Sequence, residues 1–376
     1  MILRLFYISY LSLIFIACEK QKIEEVNIGG ILPLSTKMSF MGLGPSKAML
    51  MAVDEYNLTK KPEEPLVNIY FEDGEWDVDK GVESYKKLKK EHDVDVLFLN
   101  NTEATIALNS TFEVDKTPIV NSLNNDKSLN DLSDCVFRIA KDSKEAHSLI
   151  GIRISELGFE RVGLLYHSNE IMEVGLGIIE EILHDRGVET KSFKSKANNK
   201  GLGKLLTEWK NDDIEAYVFL GFLHYGFIVK KARDIGITAP FFGSLSMSRK
   251  GFFENSKGEL QGSECIGFSV MDGNYLLAHK FLKKFKQEFK SEPESLYATM
   301  QAYDAVNIVL NNLRNVNKEG VSKKELSFWL KNKMYQVKNY QGVCGNLSML
   351  ENGAIRGIYC SLYRCEENGI LSRVKR

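Results

Sequence analysis

At 376 residues the chain is long for one core, and at roughly 150 residues per domain it calls for about two domains. Lys plus Arg number 49 against 50 Asp plus Glu, so the chain lacks the positive field that a nucleic-acid partner would need. With 44% apolar and 26% charged residues it can bury a full core and is neither disordered nor fibrous, and six cysteines are too few for a disulfide scaffold.

Met1 to Arg4 begins with positive charge, Leu5 to Ala17 is almost wholly apolar, and the run stops at Cys18 before Glu19-Lys20-Gln21-Lys22. An apolar run of 13 residues falls short of the roughly 20 that span a bilayer as a helix. A charged start, a short apolar stretch and small Ala17 before the cut describe a secretory signal over 1–17, followed by a tether over 18–25. The other apolar stretch, Ala216 to Val229, carries His224 and two glycines and reads as a buried strand running into a helix.

From Val26 to Val270, short β-branched runs alternate with amphipathic stretches, the βαβ signature of a parallel sheet covered by helices. The first round predicts strands near Val26 to Pro33, Val67 to Glu72, Val94 to Asn100 and Pro118 to Ser122. The second predicts strands near Val162 to His167, Thr190 to Phe193, Ala216 to Phe222 and Pro240 to Ser244. Between the rounds, Phe137 to Asp142 leaves the first unit and enters a helix capped by Asp142, with Glu145 as its capping-box partner. After Val270 the pattern predicts helices over Tyr275 to Phe289 and Ser295 to Val316, and a third opened by Ser322 and Glu325. Val343 to Leu350 and Ala354 to Tyr363 then form a hairpin around Glu351-Asn352-Gly353. If Leu350 faces Ala354, Cys344 falls opposite Cys360, and a disulfide there fits an oxidising compartment, although a one-residue slip of register would abolish it.

Ile28-Gly29-Gly30-Ile31-Leu32-Pro33-Leu34-Ser35, Phe40-Met41-Gly42 and the helix ending Ala52-Val53-Asp54-Glu55-Tyr56-Asn57 resemble the opening of the type I periplasmic binding proteins. The nearest branch is the branched-chain amino acid binding proteins of ABC transporters. Later landmarks follow in order: Glu72-Asp73, Phe137-Arg138, Arg161-Val162-Gly163, Ala302-Tyr303-Asp304-Ala305, and a tail with Gly345, Leu347, Ser348, Gly353, Ile355, Arg356, Gly357, Asn368 and Gly369. Phe15-Ile16-Ala17-Cys18 resembles the lipobox of bacterial lipoproteins, in which the cysteine thiol receives a diacylglycerol, although Phe15 stands where Leu is usual. The plainer reading is an ordinary signal, or an uncut anchor, ending at Cys18.

The resemblance implies an α/β fold of two Rossmann-like lobes joined by a three-segment hinge, with ligand held in the cleft between them. Lobe one would comprise 26–140 plus 271–342, and lobe two 141–270 plus 343–376. It further implies a binding protein rather than an enzyme, with no cofactor, a small polar ligand and an ABC permease as partners. The protein would sit in the bacterial cell envelope, outside the cytoplasm, held to a membrane through Cys18. A same-fold lipoprotein that senses a ligand, or activates envelope enzymes through protein contacts, is the alternative.

Small ligands in open α/β sheets lie at the carboxyl ends of strands. Asn101 and Thr102 occupy such an end; Thr102 reads either as a simple N-cap or, by the resemblance, as the hydroxyl that holds a ligand carboxylate. The resemblance also points to Leu123 and Asn125 for the ligand ammonium, although Asn clusters are also plain turn formers, to Phe222 as an aromatic lid, and to Ser244 and Leu245 in the second lobe; Phe40 and Trp76 read as aromatic cleft walls, although a Trp beside acidic residues is more often a partly exposed packing residue. Two departures follow. The family's acidic residue after the Phe-x-Gly strand is missing, since Phe241-Phe242-Gly243 runs into Ser244-Leu245-Ser246, and the usual aromatic of an earlier loop is replaced by Ile171. An amino acid deprived of that counter-charge would lose about 2–5 kcal/mol unless Glu170 or Glu173 supplied it.

No metal or nucleophile motif is present: there is no His-Glu-x-x-His, Cys-x-x-Cys or Gly-x-Ser-x-Gly. Gly175-Leu176-Gly177 imitates a dinucleotide fingerprint, but Glu180 takes the third glycine's place, and helix packing is the better reading.

Overall fold

The computed structural model describes residues 22–125, 127–168, 170–195 and 201–375. The leader and Cys18 lie outside these residues. Two compact units emerge, one of 22–140, Gln287–Tyr340 and Ser348–Ile355, the other of Lys141–Lys286, Gln341–Leu347 and 356–375.

The first unit opens with β1 (Glu25–Leu32), α1 (Leu43–Thr59), β2 (Leu66–Asp73), α2 (Val78–His92), β3 (Val96–Leu99), α3 (Thr102–Ala107), α4 (Asn109–Asp115), β4 (Ile119–Asn121) and β5 (Val136–Arg138). The strands pair in parallel in the order β2-β1-β3-β4-β5. β3 is buried at every position, as befits a parallel strand covered on both faces. Gly42, just before α1, is required by close approach, because a Cβ there would lie 2.0 Å from the Pro33 carbonyl oxygen.

The second unit repeats the pattern with α5 (Ser143–Glu156), β6 (Arg161–His167), α6 (Glu170–His184), β7 (Glu189–Ser195), α7 (Leu202–Asn211), β8 (Ala216–Leu220), α8 (Tyr225–Asp234), β9 (Phe241–Gly243), α9 (Lys250–Asn255), β10 (Glu264–Phe268) and most of α10 (Leu276–Phe289). As expected, Asp142 caps α5, accepting from the Lys144 N–H at 2.6 Å. Strand alternation divides the core in two: Tyr217, Phe219 and Phe241 pack on one face with Trp209, while Val218, Leu220 and Phe242 meet Ile150 and Ile179 on the other. Gly175 lies inside α6, where a Cβ would come 2.7 Å from His147 Nε2, so this glycine serves helix packing, while a Cβ at Gly177 would meet nothing within 4 Å.

The chain then adds α11 (Leu296–Leu313) and α12 (Leu326–Tyr335) to the first unit, the latter preceded by the Ser322–Glu325 capping box. α11 is tied to α1 through Tyr303, whose hydroxyl donates to Glu55 at 2.6 Å. Last come β11 (Tyr340–Gln341), β12 (Gly345–Met349), β13 (Ile355–Ile358), β14 (Cys360–Cys365) and β15 (Leu371–Arg373). β14 joins the second unit's sheet antiparallel to β10, giving the order β15-β14-β10-β9-β8-β6-β7.

Three expectations need correction. Residues 271–286, expected in the first lobe, group with the second unit, where Asp272 accepts from the Tyr359 hydroxyl at 2.7 Å and Tyr275 donates to the Gly342 carbonyl at 2.8 Å, and Ser348–Ile355, expected in the second lobe, group with the first unit. β10 and β15 were not foreseen. No disulfide joins Cys344 to Cys360. The facing register holds at the tip, where the Leu350 N–H donates to Ala354, but the Tyr359 N–H donates to Cys344, one residue out of step. Gly345 and Gly357, both at positive φ, absorb that slip, and Cys360 leaves to pair with Phe268.

Candidate functional site

Both sheets are doubly wound, and each has a switch point where chain order reverses: between β1 and β3 in the first unit, and between β6 and β8 in the second. Diverging connections leave room at the carboxyl ends of those strands.

In the first unit the space is lined by amides. Asn100, ending β3, accepts through Oδ1 from the Ser122 N–H at 3.0 Å and its hydroxyl at 3.2 Å. Asn121, ending β4, accepts through Oδ1 from the N–H groups of Leu123 and Asn124. From α11, Gln301 donates to the Ser122 carbonyl at 3.0 Å and so fixes this loop from below. The amide nitrogens of Asn100 and Asn121 are buried and meet no partner among the described residues. The loop after β1 is held by Asp73, which accepts from the Leu34 and Glu75 N–H groups at 2.9 Å each. Burial pushes the Asp73 carboxyl up, but hydrogen bonds from Ser35, Leu34 and Glu75 prevail and hold it below the usual range.

In the second unit the corresponding space is aromatic. His167, at the end of β6, has its ring centroid 5.1 Å from that of Phe222 and 5.9 Å from that of His224. Phe222 is 44% exposed. Beneath them Ser195, ending β7, shares a hydrogen bond with the buried Tyr225 hydroxyl. Ser244 and Leu245 follow β9 and start a 3-10 turn, closed by the Met247 N–H donating to the Ser244 carbonyl.

The sequence-derived residues fare unevenly. Asn101, not Thr102, caps α3, accepting from the Ala104 N–H at 2.8 Å. Thr102 is instead the first helical residue, and its hydroxyl oxygen accepts from Asn124 at 2.8 Å. Asn101→Ala is expected to cost about 1 kcal/mol, read as a lowered urea midpoint. The Asn125 side-chain oxygen Oδ1 accepts from Arg138 Nε at 3.1 Å, while Arg138, only 1% exposed, also donates to the backbone carbonyls of Leu129 and Asn352. Leu123 contributes its N–H to Asn121, and Phe40 sits half-buried in the 3-10 turn Ser39–Met41. Glu173 is paired with Lys194 at 2.6 Å, and the Glu170 side chain lies outside the described atoms. What sequence reasoning missed is the Asn100–Asn121 frame and the meeting of His167 with His224. Among the described residues no cluster of three or more His, Cys, Asp or Glu is placed to hold a metal.

Two doubly wound α/β units with polar and aromatic strand ends define the architectural class of the protein. A family model described as periplasmic binding protein matches residues 25–363, and the chain belongs to that family, which comprises transport solute-binding proteins of the extracytoplasmic space rather than enzymes. Among solved structures, the Thermotoga maritima leucine-binding protein LivK aligns with a TM-score of 0.72 at 17% identity, over 93% of this chain and 98% of that one. The Streptococcus pneumoniae substrate-binding protein LivJ, in complex with isoleucine, gives 0.73 at 19% identity, over 94% and 100%. A Rhodopseudomonas palustris solute-binding protein, in complex with 3,4-dihydroxybenzoic acid, gives 0.75 at 16% identity, over 94% and 96%. No curated protein matches the sequence. No helix among the described residues is long and apolar enough to cross a membrane.

Proposed function

We propose that this chain is a lipid-anchored solute-binding protein that captures a small polar ligand, amino acid or amide-like, and presents it to an ABC importer. The observation that carries the reading is the amide frame at the first unit's switch point. Two buried amide nitrogens, on Asn100 and Asn121, lack partners among the described residues. Each such group costs about 1–3 kcal/mol, a cost that a ligand's acceptor oxygens offset. Thr102 and Asn101 border this frame, Leu123 and Asn125 form its loop, and Phe40 provides an apolar wall. In the second unit, Phe222, Ser244 and Leu245 lie at the ends of β8 and β9. Membrane attachment rests on the sequence around Cys18, and mass spectrometry of the N-terminal peptide is its check.

Structural neighbours solved with isoleucine and with leucine favour an amino acid. Against this, the loop Ser244-Leu245-Ser246-Met247-Ser248 has no ionisable side chain and Glu173 is engaged by Lys194. That observation favours the second reading, a same-fold lipoprotein acting as a sensor or as an activator of envelope enzymes. A thermal-shift screen against amino acids, short amides, sugars, purines and small organic acids separates the two. A true ligand present at 100 times its Kd is expected to stabilise the protein by about 2.7 kcal/mol. Silence across the whole panel would transfer the assignment to the second reading.

A further inference from the structure

We infer that His167 and His224 form a paired-imidazole subsite for a carboxylate oxygen at the second unit's switch point, and that the ligand is a small monocarboxylic acid with an apolar body. The inference rests on the solute-binding reading and names the ligand class for that site.

The geometry carries it in three steps. His167 ends β6, and His224 and Phe222 lie in the connection after β8, so the trio occupies the place where diverging connections open a doubly wound sheet. The three ring centroids lie 5.1, 5.9 and 6.3 Å apart, close enough for one small molecule to touch them all. Burial is one-sided: each histidine is half-buried, and the enclosed nitrogens, His167 Nδ1 and His224 Nε2, meet no partner among the described residues.

An enclosed nitrogen without an acceptor keeps its bare lone pair, because an orphaned N–H is the costlier state. The proton therefore resides on the opposite nitrogen, Nε2 of His167 and Nδ1 of His224. Each ring thus presents a donor, and two donors select an acceptor oxygen. The exposed Phe222 ring beside them takes an apolar body.

The surrounding charges leave the role to the imidazoles. Tyr225, on α8, stacks edge-on to both rings, with its hydroxyl committed to Ser195 on β7. Lys194 on β7 and Glu173 on α6 neutralise each other, and Lys194, adjacent to Ser195, points to the opposite sheet face, as does Tyr166 on β6. Burial, then the His167 charge, holds the His224 imidazole below its ordinary pKa. A bound anion favours the protonated imidazole, raises its pKa and draws in a proton. Affinity for a carboxylate therefore rises as pH falls through the pKa of the complex toward that of the free site. A rise of one unit in one imidazole gives up to about tenfold tighter binding at pH 6 than at pH 8.

The test is calorimetric titration of the purified protein with benzoate, 4-hydroxybenzoate, 4-methyl-2-oxopentanoate, leucine and benzamide at pH 6, 7 and 8. At least one of the three acids is expected to bind, more tightly at pH 6, and to outcompete leucine and benzamide. His167→Phe and His224→Phe, which keep the aromatic packing, should weaken it tenfold or more. His167→Gln and His224→Asn retain a donor where the outward N–H stood but cannot take a proton, so they should bind with a flatter pH profile. Binding of leucine or benzamide in preference to the acids, or an acid affinity unmoved by pH and by the Phe variants, would overturn the subsite and leave the solute-binding reading intact. No binding by any of the five, together with silence in the wider thermal-shift screen, overturns both.

Discussion

Glu264→Gln is expected to lower the stability of the second unit by about 3 kcal/mol, measured by urea unfolding at pH 7. The carboxylate is 2% exposed and lies where α5, β10 and β14 meet. Arg153 on α5 donates to it at 2.9 and 3.1 Å, and Arg364 on β14 at 2.7 and 3.3 Å. Burial pushes the Glu264 carboxyl up, but the two guanidiniums outweigh it and hold the group below its ordinary 4.5. A glutamine keeps the shape and removes the charge, leaving two cations around a neutral amide. Breaking a buried pair commonly costs about 3–5 kcal/mol, and the lower end applies because the Arg153 and Arg364 side chains retain 15% and 44% exposure. Arg364→Met should cost only about 1 kcal/mol or less, since Arg153 still neutralises the carboxylate. Because the folded pKa is depressed, the Glu264 contribution is present above the unfolded value and disappears as pH falls through the folded one, so the gap between wild type and Glu264→Gln narrows in acid. A glutamine variant within 1 kcal/mol of wild type at pH 7 would show that packing alone fixes β10 between its neighbours.

That same residue explains why β10 escaped the sequence pattern. Runs such as Val96-Leu97-Phe98-Leu99 declare a buried parallel strand by themselves. Glu264-Cys265-Ile266-Gly267-Phe268 begins with a charge, and the arginines that make its burial tolerable lie 111 and 100 residues away. The amphipathic pattern of α10 showed that one face is covered but not by which unit, which is why the expected boundary fell early. At the end of β3 two consecutive residues, Asn101 and Thr102, are both good caps, and only the backbone decides between them. The strand ends themselves were legible, because β-branched runs stop where polar loops begin. Their chemistry was not. The Asn125 oxygen offered to a ligand is claimed by Arg138, and His224, unremarkable beside its sequence neighbours, gains meaning only from His167 across the sheet.

The second large effect is acid destabilisation through His147. This side chain is buried between α5 and α6, with Nδ1 2.9 Å from the Ser143 carbonyl and Nε2 close against Gly175. Burial first, then repulsion from Lys141, drives its pKa down from 6.5 to about 4. In the unfolded chain the imidazole takes its proton near pH 6.5, whereas the folded protein refuses it until about pH 4. Between those values the unfolded state binds one more proton, so stability falls by roughly 1.4 kcal/mol for each unit of acidification, about 3 kcal/mol in all. His147→Met is neutral throughout and fills similar space. At pH 7 it should be less stable by about 1 kcal/mol, having lost the hydrogen bond to Ser143. Its urea midpoint should fall less steeply than that of wild type between pH 6.5 and 4.5, and the two stability curves should cross within that window. The comparison isolates His147 because every other group, Glu264 and His224 included, titrates alike in both proteins. Parallel curves with a constant offset would mean that the folded imidazole is protonated as readily as the unfolded one, and that the contact between α5 and α6 is hydrated rather than closed.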